Sequence, residues 1–196
     1  MKARILFQLD EQFRQLIIKK HLFYVEQAQK RLLSQFDDIG GDADRAADEW
    51  LERSGRDIVP ELYDPSDFYE QANEIDVELY FLLTEMSKQT HLNVVAGMFH
   101  NWDKQLRDWL AHEINYWHRG KEVVSKVWSV DFGKIVDLLE SFGWRLRAAD
   151  YFCALDACRL VVNVHKHGEG SSLQELKNRH PEYLRSSTAE TESVFL

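Results

Sequence analysis

Between Lys2 and Phe36 the chain holds neither proline nor glycine, and Ile5, Leu9, Phe13, Leu16, Ile17, Phe23, Leu32 and Phe36 return at three- and four-residue steps. That period lays them along one face of a helix and fits no other regular element. Scarce punctuation extends the constraint to the whole chain. With 3 Pro and 9 Gly in 196 residues, there is too little turn chemistry for a sandwich or barrel of many short strands. Gly40 and Gly41, inside the acidic run Asp37–Asp42, end the first helix. A short helix is expected from Ala43 to Arg53, with Ala46, Ala47 and Trp50 on one side. Gly55, Pro60 and Pro65 mark the stretch 54–66 as a loop.

Ser66 is a suitable N-cap for the next helix, with acidic residues in its first turns, and helical periodicity runs to about Lys88. A separate helix is expected from near Leu92 to Trp117, where Phe99, Trp102, Leu106, Trp109, Leu110, Ile114 and Trp117 form an aromatic-rich stripe suited to a core. Residues 118–130, with Val123, Val124, Val127, Trp128 and Val130, fit a short strand, a continued helix or an ordered loop. Asp131 opens a helix that Gly143 closes. Another runs from about Arg147 to Lys166, stopped by Gly168 and Gly170. Ser172 and Glu175 have the spacing of a capping box for a last helix, Leu173 to Arg179, before Pro181. The expectation is an all-α fold over 1–185, a single helical bundle with long antiparallel helices and short accessory ones. A flexible tail follows over 186–196.

Composition narrows the function classes. A 44% hydrophobic, 12% aromatic chain has material for a core, which excludes bulk disorder. No apolar run approaches the roughly 18 residues of a membrane span, and the first ten residues lack a signal-peptide core. A cytoplasmic protein with no membrane association is expected. Cys153 and Cys158 are too few for a disulfide framework and read as small buried hydrophobes. The net charge of −9 argues against indiscriminate nucleic-acid binding. It is unevenly spread: 1–143 carries 17 basic and 26 acidic residues, whereas 144–185 carries 7 and 5, with three histidines besides. An anionic ligand would be sought in 144–185, where Arg147, Lys166 and Lys177 are candidate substrate-binding residues.

The helix before Gly168 is mostly apolar, so its few polar members are informative. Taking about 100° per residue from Arg159, Asp156, Asn163, Lys166 and His167 fall within roughly 80° of it, while His165 points elsewhere at roughly 240°. Such a stripe serves as a solvent face, with Asp156 paired to Arg159. It also holds the residue types that grip phosphate and move protons near neutrality.

The run Arg159–Asn163–Lys166–His167–Gly168, followed by Gly170, Ser171 and a short helix at Leu173–Leu176, resembles the end of a HEPN-type domain (higher eukaryotes and prokaryotes nucleotide-binding). The local likeness covers about 45 residues. It implies a small helical bundle and a metal-independent endoribonuclease of toxin–antitoxin or anti-phage type, with no cofactor. It further implies a homodimer in which two copies of an Arg–His motif meet at one RNA-cutting cleft, with an antitoxin or defence subunit as a possible protein partner. The candidate catalytic residues are Arg159, Asn163, His165 and His167. Five residues separate Arg159 from His165, which matches the family's spacing, whereas His167 lies closer to Arg159 in helical angle. Which histidine acts is open. Leu160 stands where active members usually carry a polar residue. With the acidic charge, it favours the alternative of a silent bundle binding a protein partner or nucleotide.

Other polar groups carry less. His100, Asp103 and Arg107 share a helix face and His112, Glu113 and His118 follow, but their spacing completes no metal signature, so no metal site is expected. They are expected as an exposed face opposite the aromatic stripe. No phosphate-binding glycine loop, dinucleotide fingerprint or serine-hydrolase elbow occurs.

Overall fold

The structure is a computed structural model that describes residues 9–55, 64–118 and 121–184. It is all-α, with no strand among the described residues. Packing groups the chain, expected as one domain over 1–185, into two compact units: residues 1–19 with 95–196, and residues 20–94. The tail 186–196 and the start of the first helix, Lys2–Gln8, lie outside the described residues.

Helix α1, Glu11–Arg31, begins later than periodicity alone indicates. Asp10 caps it, its Oδ1 accepting from the backbone N–H of Gln12 and Phe13 at 2.9 and 3.0 Å. Its last turn is followed by a 3-10 turn, Leu33–Phe36, and then α2, Ile39–Gly55. Helix α3 is a single element, Pro65–Trp117, and not two. No breaker stands between Lys88 and Leu92. Thr90 Oγ1 donates to the Met86 carbonyl at 2.7 Å and His91 Nδ1 lies 2.9 Å from the Ser87 carbonyl, side-chain bonds that a helix accommodates. The cap of α3 is Asp64, not Ser66. Asp64 Oδ1 takes the Ser66 N–H, which holds its carboxyl below the usual range, and Pro65 occupies the first helical position.

In residues 20–94 the fully buried apolar side chains are alanines alone among the described residues: Ala28, Ala43 and Ala72. Tyr24 donates to the Val94 carbonyl at 3.2 Å across this unit. The other unit holds the larger core. Trp109, Leu110 and Ile114 of α3 pack with Val127 of α4 (Lys121–Ser129) and with Ile135 and Leu139 of α5 (Phe132–Ser141). The stretch 118–130, open from sequence, is thus largely helix. Phe99 and Trp109 of the aromatic stripe are buried and Trp102 and Leu106 half-buried, so the stripe faces the interior.

Asp131 caps α5 through the Lys134 N–H at 3.0 Å, and Gly143, at φ 95°, ends it. Helix α6 is Phe152–His167, starting five residues after Arg147. Arg147 cannot open it, because its N–H is held by Glu140 Oε1 at 2.9 Å and its guanidinium by Asp137 and Glu140. Gly168, at φ 68°, closes α6 as expected. Helix α7, Ser171–Arg179, begins after Gly170 with no side-chain cap, so Ser172 and Glu175 do not form a capping box. Glu175 turns to two arginines instead. A 3-10 turn, Pro181–Leu184, follows.

Candidate functional site

Asp156 is the hub of the site, and its burial is the feature that needs explaining. It is 4% exposed on α6, and an isolated carboxylate there would be costly. Three cationic or protonatable groups surround it. Arg159, one turn on, donates Nε and Nη2 to Oδ1 at 3.1 and 2.9 Å. Arg179, on the last turn of α7, pairs with Oδ2, and His180 Nε2 lies 3.4 Å from the same oxygen. Glu175 extends the cluster, accepting from Arg159 Nη2 at 3.4 Å and Arg179 Nη1 at 3.2 Å. The cluster ties α6 to α7.

Beside it lies a cavity of about 750 Å³, framed by α3, α5, α6 and α7. Arg159, Asn163 and Arg147, all singled out from sequence, line it. Ser171, Ser172, Glu175 and Arg179 line it from α7, and Phe99, His100, Asp103 and Arg107 from α3. His165, half-buried, and His167, exposed, lie outside its lining, as do the exposed Lys166 and Lys177. The structure therefore lines this cavity with three of the seven sequence candidates, Arg147, Arg159 and Asn163.

Some lining groups are already held by several partners. Arg107 is 8% exposed, contrary to the expectation of an exposed face. Its Nε donates to Asp103 Oδ2 at 2.8 Å and its Nη1 to the carbonyls of Val127 and Val130 at 2.6 and 2.9 Å, which satisfies the C-terminal end of α4. Arg147 is held by Asp137 and Glu140. Its side-chain bond keeps the Asp137 carboxyl below the usual range, and its backbone N–H does the same for Glu140. Arg107 and Arg147 are thus structural arginines as they stand.

No protein-family model, curated protein or solved structure matches the chain. Its chemistry has to be read from the unengaged groups. Arg159 Nη1 has no acceptor among the described residues. The side chains of Asn163, Ser171 and Ser172 make no hydrogen bond to a described residue. Asp103 Oδ1 is buried without a hydrogen-bond partner. Phe132 meets Phe99 and Trp102 at centroid distances of 6.3 and 5.7 Å, giving the cavity an aromatic wall. No group of three or more His, Cys, Asp or Glu side chains is placed to hold a metal ion among the described residues. No helix of the described residues is long and apolar enough to cross a membrane.

Sequence reading gave Glu175 only a capping role and passed over Arg179 and His180. The i, i+4 spacing of Glu175 and Arg179 was visible, but it marks a solvent pair as readily as a site. Nothing in spacing announced that His180, past the end of α7, would return to Asp156.

Proposed function

We propose that the chain is a HEPN-like helical protein that binds a nucleotide in the cavity framed by α3, α5, α6 and α7. One observation carries this reading: the unsatisfied polar groups of the region converge on a single space. Arg159 Nη1, Asn163 and the two serine hydroxyls offer donors to phosphate oxygens. The Phe99–Phe132 wall offers a surface on which a base can stack. Arg107, Arg147, Arg159 and Arg179 are balanced in the lining by Asp103, Asp131, Asp156 and Glu175. Recognition then rests on hydrogen-bond geometry, which suits a chain of net charge −9.

The second reading is a metal-independent endoribonuclease of toxin or anti-phage type. It is supported by the unbroken helix through His167, which keeps Arg159 and His165 on one element with the family's spacing. Arg159 would stabilise charge growing on the phosphate, Asn163 would hold the phosphate or a histidine, and His165 or His167 would take the ribose 2′-OH proton. Arg159 is already shared by Asp156 and Glu175, which ranks this reading second.

On either reading the chain works as a pair of identical copies, with the cytoplasm as its place; the nuclease reading brings the α6 helices of the two copies together. Residues 20–94 support a pairing through their own surface, apart from α6. Leu22 and Val25 on α1, Leu32 just past its end, and Val77, Phe81 and Leu82 on α3 are exposed large apolar side chains, the kind of surface that a stable interface covers. Lys20, Lys30 and Arg31 make this part of α1 basic. Asp67, Glu70, Glu74, Asp76, Glu78 and Glu85 make this part of α3 acidic, so the surface complements a second copy of itself.

Titration with fluorescent ATP and ADP analogues, beside labelled single-stranded RNA incubated in EDTA, tests the two readings. Saturable nucleotide binding that Arg159→Ala weakens about tenfold or more, with no RNA cut, supports the first. RNA cleavage in EDTA that Arg159→Ala abolishes supports the second. Neither binding nor cleavage by a folded protein overturns both.

A further inference from the structure

Cys153 is exposed and reduced on the first turn of α6, with its Sγ 3.9 Å from His180 Nδ1. The other ring nitrogen of that histidine, Nε2, faces Asp156 Oδ2 at 3.4 Å. A thiol, an imidazole and a carboxylate therefore stand in a row, each in reach of the next, drawn from two segments 24 residues or more apart. We propose that Cys153, His180 and Asp156 form a nucleophilic thiol site that accepts an acyl group from an activated ester or thioester. This is independent of the nucleotide reading.

Each member has the environment its role requires. Nucleophilic catalysis needs a nucleophile that substrate can reach, a base in contact with it, and a third group that fixes the base. Cys153 is exposed, whereas His180 is 4% exposed and cannot rotate freely into solvent. Asp156 is held in turn by Arg159 and Arg179, so the carboxylate that orients the ring is itself oriented. Glu182 Oε1, 3.7 Å from Nδ1, is a second carboxylate for the imidazolium, and the Tyr183 ring meets the imidazole edge-on at 6.4 Å. In the first turn of α6 the Phe152 and Leu155 N–H groups are taken by the Ala149 and Tyr151 carbonyls, which leaves those of Cys153 and Ala154 without a backbone acceptor among the described residues. They are suited to an oxyanion forming on a carbonyl under attack. Cys158, on the same helix, has none of this: it is half-buried, meets no base among the described residues, and burial pushes its thiol upward.

The step balances without a further reactant. The Cys153 thiol proton passes to His180 Nδ1 as Sγ bonds to the carbonyl carbon, and the carbonyl electron pair moves onto oxygen. Collapse of that intermediate expels the alcohol or thiol, which takes the proton back from His180. Water attacking the acyl-cysteine, with His180 again taking its proton, releases the carboxylic acid and restores the thiol.

Iodoacetamide labelling of the full chain from pH 5 to 9, read by mass spectrometry at both cysteines, tests the activation. A parallel reaction with 4-nitrophenyl acetate tests acyl transfer. At pH 6, Cys153 is expected to label about tenfold or more faster than free glutathione. The acetyl group should appear on Cys153 and be absent in Cys153→Ser. His180→Gln should slow the labelling of Cys153 to the glutathione rate. If that variant fails to fold, the wild-type comparison decides alone. Labelling of Cys153 no faster than glutathione, or acetylation that is unchanged in Cys153→Ser, overturns the proposal.

Discussion

Asp156 shows what a single buried charge demands of its surroundings. Removing it as Asp156→Ala leaves Arg159, Arg179 and His180 facing one another without their common acceptor. Breaking a buried ion pair by deleting one member costs about 3–5 kcal/mol. Arg179 is half exposed, so the expected loss is near the lower end, about 3 kcal/mol in a denaturant melt. A loss under about 1 kcal/mol would mean the cluster is solvated and not structural. At the other edge of the cavity, Arg147 holds two carboxyls below their usual range. A carboxyl lowered in the folded state binds fewer protons there than when unfolded. Its contribution is therefore present above the unfolded carboxyl pKa of about 4 and fades as pH falls through the lowered folded value. The melting temperature of the wild type should fall more steeply between pH 5 and 2 than that of Arg147→Ala. Parallel curves would show that the pairs contribute nothing.

At the scale of elements, α6 carries both the core and the site, and its two ends are set differently. Leu160, fully buried, anchors its middle; Leu160→Ala should cost about 2–5 kcal/mol while leaving Arg159 on the surface of the cavity. The same residue that weighs against catalysis by family pattern is thus accounted for by packing. Gly168 terminates α6 at φ 68°, and a Cβ there meets nothing within 4 Å. Gly168→Ala should therefore cost only backbone strain, about 1–3 kcal/mol, seen as a lower melt with no change in nucleotide titration. Equal stability of Gly168→Ala would mean that the helix ends in another conformation in solution. The joined α3 carries a lesson about breakers. Sequence periodicity ends near Lys88 and resumes near Leu92, but no Pro or Gly stands between them, and the helix accommodates the bonds of Thr90 and His91 to the carbonyls four residues back.

At the scale of the whole molecule, among the described residues of 20–94 the buried apolar side chains are alanines, while large apolar side chains on α1 and α3 are exposed. Light scattering at micromolar concentration should give the mass of two chains, and Phe81→Glu with Leu22→Glu should shift it toward one. A wild-type mass of one chain would remove the self-pairing and leave a different protein as the occupant of that face. Much of this architecture was legible beforehand, because helix, cap and breaker are local: three- and four-residue periodicity marked the helices and the buried face of α3, and Asp131, Gly143 and Gly168 marked ends that the structure keeps. The polar stripe on α6 was legible for the same reason, since Asp156 and Arg159 meet within one turn. What spacing could not show was which distant groups close on that stripe. His180 and Arg179 reach Asp156 from beyond a glycine-ended helix, and Arg107 is buried because α4 presents its terminal carbonyls to it. Such contacts depend on how helices cross, and a crossing is decided by packing between surfaces far apart in the chain. The sequence by itself determined the helical class, most helix ends and the polar stripe on α6; only the tertiary structure joined α3, exposed Cys153 where a buried hydrophobe was expected, and decided which residues meet, because those outcomes depend on packing between distant segments.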